Sequence, residues 1–199
     1  MAAKPDDRRV LRTRRALHDA FYALFVEKGY DAITVQDLLD RANVGRSTFY
    51  QHFAGKQDLL LKGLENLRHF LAAHQRAVAK TAAVPGVGFS RAMFEHAADL
   101  RTLFRQFAGR DSGALVQREL QRMLADLVRS DLAERVSHDA GSSVPVDLLA
   151  EFAASSFMAT LGWWMEQRTP MSAAEIDEVY RALVVPGITR ALGASAATA

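Results

Sequence analysis

Cysteine is absent from this 199-residue chain, so neither a disulfide framework nor a cysteine-bearing metal site is available to it. Proline, at 5, and glycine, at 12, are too sparse for a disordered chain. Long hydrophobic runs are also missing. The longest charge-free, apolar-rich stretch, Phe152 to Met165, has 14 residues, short of the roughly 18 that a membrane span needs. The opening residues are charged, which predicts no secretory signal peptide and a soluble, cytoplasmic protein. No segment alternates apolar and polar residues as a strand does, so the expected fold is all-α. No phosphate-binding glycine loop, nucleophile elbow or metal-spaced cluster occurs, and the six histidines are scattered. An enzyme, a cofactor and a bound metal are therefore not expected.

What is present is unevenly distributed charge. The net charge is only +2, but residues 1–68 carry 12 Lys and Arg against 9 Asp and Glu, whereas residues 69–199 carry 13 against 14. The excess is sharpest at Lys4, Arg8, Arg9, Arg12, Arg14 and Arg15, which face only Asp6 and Asp7. Alone this is a solvated helix face. Beside a DNA-reading motif it suits phosphate contacts.

That motif lies between Asn43 and Lys56. A capping box at Thr34–Asp37 starts a helix, which carries Leu38, Leu39 and Ala42 and stops at Asn43, a residue tolerant of the left-handed turn conformation. A second short helix sets Phe49 and Phe53 four residues apart on one buried face. Its other face carries Arg46, Ser47, Thr48, Tyr50, Gln51 and His52. Two short helices joined by a tight turn, the second with an apolar back and a hydrogen-bonding front, are what a helix-turn-helix requires, and its ligand is the DNA major groove. Leu17, Phe21, Leu24 and Phe25 place a preceding helix near 8–28, which Gly29 ends.

A fourth helix follows, with Gly55 at its start and Leu59, Leu60, Leu64, Leu67 and Leu71 along it. It is long enough to carry motion between two parts of the molecule. Pro85, Gly86 and Gly88 mark a break. Beyond it, apolar spacing predicts helices through Phe89–Leu100, Leu103–Phe107, Leu115–Leu132 and Val146–Gln167. A last helix runs from Ser172 to Leu192, with Pro186–Gly187 expected to kink or locally open it. The expected organisation is a helix-turn-helix domain over residues 1–54, a connecting helix over 55–80 and a larger helical domain over 81–199.

Val44, Thr48, Phe49, Tyr50, His52, Phe53 and Lys56 resemble, in type and spacing, the recognition-helix pattern of the TetR family of bacterial transcriptional regulators. Residues 8–70 carry the likeness. Asn43 and Gly45 depart from the usual Gly and Ser, Phe49 stands where Leu is common, and Gln57 replaces a common acidic residue. The chemistry of the exposed face divides its labour. Arg46 suits guanine, Gln51 adenine, the Thr48 methyl a thymine methyl, and Ser47 a base or phosphate. By resemblance, Tyr50, His52, Lys56 and the Thr34 region hold the phosphate backbone. The alternative for Tyr50 and His52 is packing between the bundle and the second domain.

The resemblance also implies a homodimer on palindromic double-stranded DNA and a small-molecule effector acting through the fourth helix. The segment 146–192 resembles the paired helices through which relatives dimerise. Its first helix, apolar nearly all round, demands burial nearly all round. Met93, His96, Phe104, Phe107, Met123, Phe157 and Trp164 are the expected effector-pocket residues, plain core being the alternative for each. A ligand-responsive repressor is the first reading. The second is a protein of the same fold controlled by a protein partner, or by no effector. A closed apolar cavity above ~300 Å³ favours the first and a filled core the second.

Overall fold

The computed structural model of the chain describes residues 5–79, 85–101, 114–136, 144–167 and 171–193. These contain eight α-helices and no strand: α1 (Pro5–Lys28), α2 (Val35–Ala42), α3 (Arg46–His52), α4 (Lys56–Ala79), α5 (Ser90–Asp99), α6 (Ala114–Val136), α7 (Val146–Glu166) and α8 (Ala173–Ala191). Phe104 and Phe107, together with the helix expected around them, lie outside the described residues.

Local chemistry sets the helix ends. Gly29 takes a φ of +77° after α1, and Asn43 a φ of +51° after α2, both in the left-handed region that closes a helix. At the start of α2 the Thr34 hydroxyl accepts from the Asp37 amide, and the Asp37 carboxylate accepts from the Thr34 amide at 2.7 Å. Ser172 and Glu175 repeat this reciprocal cap at the start of α8. Such caps are each worth about 1 kcal/mol.

Two apolar cores follow. The first joins Leu17, Phe21, Leu24 and Phe25 of α1 to Leu38 and Leu39 of α2, Phe49 and Phe53 at α3, and Leu59 and Leu60 of α4. The second is larger, and its centre is aromatic. Phe94 packs on Phe157 at 4.6 Å and on Trp164 at 5.6 Å between ring centres, and Phe157 meets Tyr180 edge-on at 5.2 Å. Helix α4 belongs to both, since Leu59 and Leu60 sit in the first core and Leu71 in the second.

Behind α4 the chain turns at Gly86, with a φ of +76°, and the Gly86 amide donates to the Asp131 carboxylate at 2.7 Å. At Gly88 an added Cβ would lie 3.2 Å from the Gln75 backbone, so a side chain there would press this segment a few tenths of an ångström away from α4.

Of the kink or local opening expected at Pro186–Gly187, the opening does not occur: helix α8 stays helical from Ala173 to Ala191. Val184 and Ile188, buried on either side, hold it against the second core, and the exposed side of α8 takes the missing amide.

Candidate nucleic-acid interface

Helix α3 is held from behind and presented in front. Phe49 and Phe53 are fully buried with ring centres 5.8 Å apart. Burial of this kind is worth about 3–5 kcal/mol per ring against alanine. Arg46, Ser47, Tyr50 and Gln51 are exposed, and Thr48 and His52 half-buried. Tyr50 stands edge-on to Phe49 at 5.3 Å and is 50% exposed. The His52 ring leans edge-on to Phe53 at 6.4 Å.

The frame around α3 is ionic. Arg41 grips Glu27 with two hydrogen bonds, at 2.8 and 2.6 Å, which ties α2 to α1. Lys28 reaches Asp37 at 2.7 Å and ties the end of α1 to the start of α2. The Lys28 ammonium, with the Thr34 hydroxyl and amide, holds the Asp37 carboxyl well below the usual carboxylate range. Asp58 accepts from the Ala54 amide at 2.9 Å and from Lys62 at 2.9 Å, which places its carboxylate over the first turn of α4.

Lys56, expected at the phosphate backbone, is engaged locally. Its ammonium donates to the carbonyls of Tyr30 at 3.0 Å, Asp31 at 3.2 Å and Ile33 at 2.9 Å, and it lies 4.5 Å from the Tyr30 ring centre. An ammonium has three N–H donors, and here all three serve the turn that precedes α2. The position expected to grip phosphate therefore locks the start of α4 to the loop ahead of α2. Thr34 is likewise engaged locally, its hydroxyl donating to Asp37 at 2.6 Å.

Two participants carry no sequence signal at short range. Gln36 of α2 accepts from the Arg46 guanidinium at 3.0 Å and donates to Asp40 at 2.8 Å. The second helix thus aims the first side chain of the third. Lys62 of α4 donates to the His52 carbonyl at 2.9 Å and so fastens the end of α3. Along α1, Arg8, Arg9, Arg12, Arg14 and Arg15 are exposed. Arg15 approaches Asp19 at 3.9 Å in full solvent, a pairing worth little.

The expected effector residues fall into different places. Met93, Phe157 and Trp164 are buried in the second core. Met123 borders a shallow cleft beside Arg122 and Asp126. His96 faces α1 at the junction of the two cores. Burial lowers the basicity of its ring. A separate cleft of about 300 Å³ lies between α6 and α7, lined by Leu120, Met158, Leu161, Trp163 and Met165, with Gln117 and Glu166 as polar groups.

This arrangement matches known proteins along most of the chain. Residues 17–62 match the family profile described as bacterial regulatory proteins of the tetR family. Residues 88–184 match the profile of a transcriptional regulator C-terminal region. The transcriptional repressor KstR2 of Mycolicibacterium smegmatis is 25% identical over 186 residues, covering 85% of this chain and 87% of that protein. The uncharacterized regulator YxbF of Bacillus subtilis is 48% identical over 58 residues, 29% of this chain and only 15% of that protein. A TetR transcriptional regulator from Streptococcus agalactiae superposes with a TM-score of 0.60 at 28% identity, covering 90% of this chain and 97% of that one. These relatives are transcriptional regulators, not enzymes. Among the described residues no helix is long and apolar enough to cross a membrane. With an exposed polar recognition helix at its front and these matches on both sides of α4, the chain belongs to the TetR family of DNA-binding bacterial transcriptional regulators.

Proposed function

We propose that the protein is a homodimeric repressor that binds a palindromic operator and is released by a small apolar effector. The observation that carries the dimer is an uncovered apolar stripe on α7 and α8. Leu148, Phe152 and Trp163 recur along one side of α7, and Val179 and Leu183 along α8, with exposures from 39% to 71%. A Cβ added at Gly162 or Gly187 would meet nothing within 4 Å, so the backbone there is bare to an approaching helix. Apolar patches of this kind on a single chain mark an interface. A second copy places a second α3, and half-sites then lie about one helical turn, or a multiple, apart.

Within each copy, Arg46, Ser47, Thr48 and Gln51 read bases, while Tyr50, His52 and the arginines of α1 hold phosphate. The regulatory sign follows the repressor KstR2, to which the chain is similar over most of its length. For the effector, the cleft between α6 and α7 offers apolar walls with two polar groups, the composition typical of small-molecule sites. The ring contacts of Phe94 with Phe157 and Trp164, and of Phe157 with Tyr180, favour the second reading, control by a protein partner or by none.

Selection of bound sequences from random DNA, repeated with a metabolite panel, tests both. The expected result is an inverted repeat bound by two chains, and one metabolite that releases it while changing Trp163 and Trp164 fluorescence. A lone half-site at 1:1 stoichiometry rejects the dimer. Binding indifferent to every metabolite favours the second reading.

A further inference from the structure

Between α1 and α4 lies a cleft of about 650 Å³, larger than the α6–α7 cleft and bordered by Phe53, the residue that follows α3. Its walls are of two kinds. Arg14, Arg15 and Lys62 supply positive charge, against one lining carboxylate, Glu65. Leu11, Tyr22, Leu67 and Phe70 supply apolar surface, and Leu11 and Phe70 are conspicuously exposed, at 61% and 46%. The floor is His18, lying on bare backbone at Gly63, where an added Cβ would sit 3.4 Å from the imidazole. Below it a recess of about 50 Å³, bounded by Phe21, Phe25, Leu60 and Val116, reaches the junction of the two cores. His18, Tyr22, Gly63, Leu67 and His96 border both spaces, so the recess continues the cleft inward.

We propose that this cleft binds an amphiphilic organic anion, and that its occupancy loosens the recognition helix through Lys62. The volume falls within the ~300–1,000 Å³ typical of ligand sites. An apolar body covers the exposed Leu11 and Phe70, its end enters the recess, and a carboxylate or phosphate head meets Arg14, Arg15 and Lys62. Arg15 also nears Asp19, and Lys62 is paired with Asp58.

The coupling is geometric. Lys62 lines the cleft and donates to the His52 carbonyl and to Asp58, each at 2.9 Å, which leaves one N–H donor for an anion. An anionic head bound at that third donor draws the ammonium towards the cleft and away from the His52 carbonyl. Phe53, which ends α3, lies 5.2 Å below that ammonium and 5.7 Å from the His18 ring. Both supports of the end of α3 therefore face the same ligand. This rests on α3 being the DNA-reading helix. An effect arises only because the anion binds the loosened arrangement more tightly than the locked one.

The test titrates the full chain with decanoate, decyl phosphate, decanol and inorganic phosphate by calorimetry. A DNA duplex from the selection described above then reports the consequence. At least one amphiphilic anion should bind tenfold or more tighter than decanol and inorganic phosphate, and the two anions decide between a carboxylate and a phosphate head. Asn66→Trp, which fills the cleft from an exposed position, and Arg14→Glu should each weaken that binding tenfold or more. Saturating anion should lower DNA affinity about tenfold, within the usual range for coupled sites. Lys62→Gln should weaken anion binding and, once the cleft is saturated, lose most of that response. Equal binding of decanol, indifference to both Asn66→Trp and Arg14→Glu, or an unchanged DNA affinity at saturation would each overturn the proposal. Failure to bind any duplex without ligand counts instead against the DNA-reading role, and the calorimetric arms still decide whether the cleft takes the anion.

Discussion

The guanidinium of Arg46 donates to the side-chain oxygen of Gln36 at 3.0 Å, across the turn that separates α2 from α3. The arginine proposed to read bases is thereby aimed by a neighbouring helix before any DNA arrives. Arg46→Ala should cost about 1–3 kcal/mol at one base pair of each half-site and relax preference there. Gln36→Ala should blur the same position while leaving the others intact. Selected sequences with unchanged base preferences in both variants would reject the pairing as a determinant of specificity.

Lys56 supports a different expectation from a phosphate contact. Its three bonds join a charged donor to the part-buried carbonyls of Tyr30 and Ile33 and the exposed carbonyl of Asp31. Lys56→Met should destabilise the chain by about 1.5–3 kcal/mol, read as a lower Tm. It should weaken DNA sequences alike, yet leave the slope of log affinity against log salt unchanged. A slope reduced by about one, with an unaltered Tm, would return Lys56 to the phosphate backbone.

Acid should weaken the joint between α1 and α2. The Asp37 carboxyl is depressed in the folded chain by Lys28 and Thr34, from an ordinary value of 3.8. A depressed carboxyl contributes stability that is fully present above its unfolded value and is lost as pH falls through the folded one. The Tm advantage of the native chain over Asp37→Asn should therefore be constant from pH 7 to about pH 5 and shrink below about pH 4. An advantage independent of pH would mean that the carboxylate's charge does not matter there.

Leu183, at 71% exposure, touches little of its own chain. Leu183→Glu should leave the Tm of the isolated chain nearly unchanged and shift its mass in solution from two copies to one. Operator affinity should fall by two orders of magnitude or more once the half-sites are bound separately. A dimer that survives both Leu183→Glu and Trp163→Arg forms through another surface.

Elements set by near neighbours were readable before the fold was. The Thr34–Asp37 cap, the left-handed Asn43 and the Phe49–Phe53 pair all depend on residues at most four apart. Lys56 was not readable in this way, because its acceptors lie 23 to 26 residues back. Gln36 was missed for the same reason, as nothing local tells an exposed helical glutamine which arginine it will meet. The second core shows another limit. Composition marks Phe157 and Trp164 as apolar, but whether such rings enclose space or fill it depends on how Phe94 and Tyr180 are oriented between them. At Pro186 the helix continues where the local rule allowed an opening, and Val184 and Ile188 are buried on either side of it.

Because one unbroken α4 is rooted in both cores, angular error in either becomes linear error at the other. Its 24 residues span ~36 Å. A tilt of about 5° over that length moves the far end by ~3 Å, close to the ~3.4 Å rise of one base pair. Two such arms in a symmetric pair would double the mismatch against a fixed operator. Side-chain adjustments too small to disturb either core are then enough to put the two reading heads out of step with the DNA.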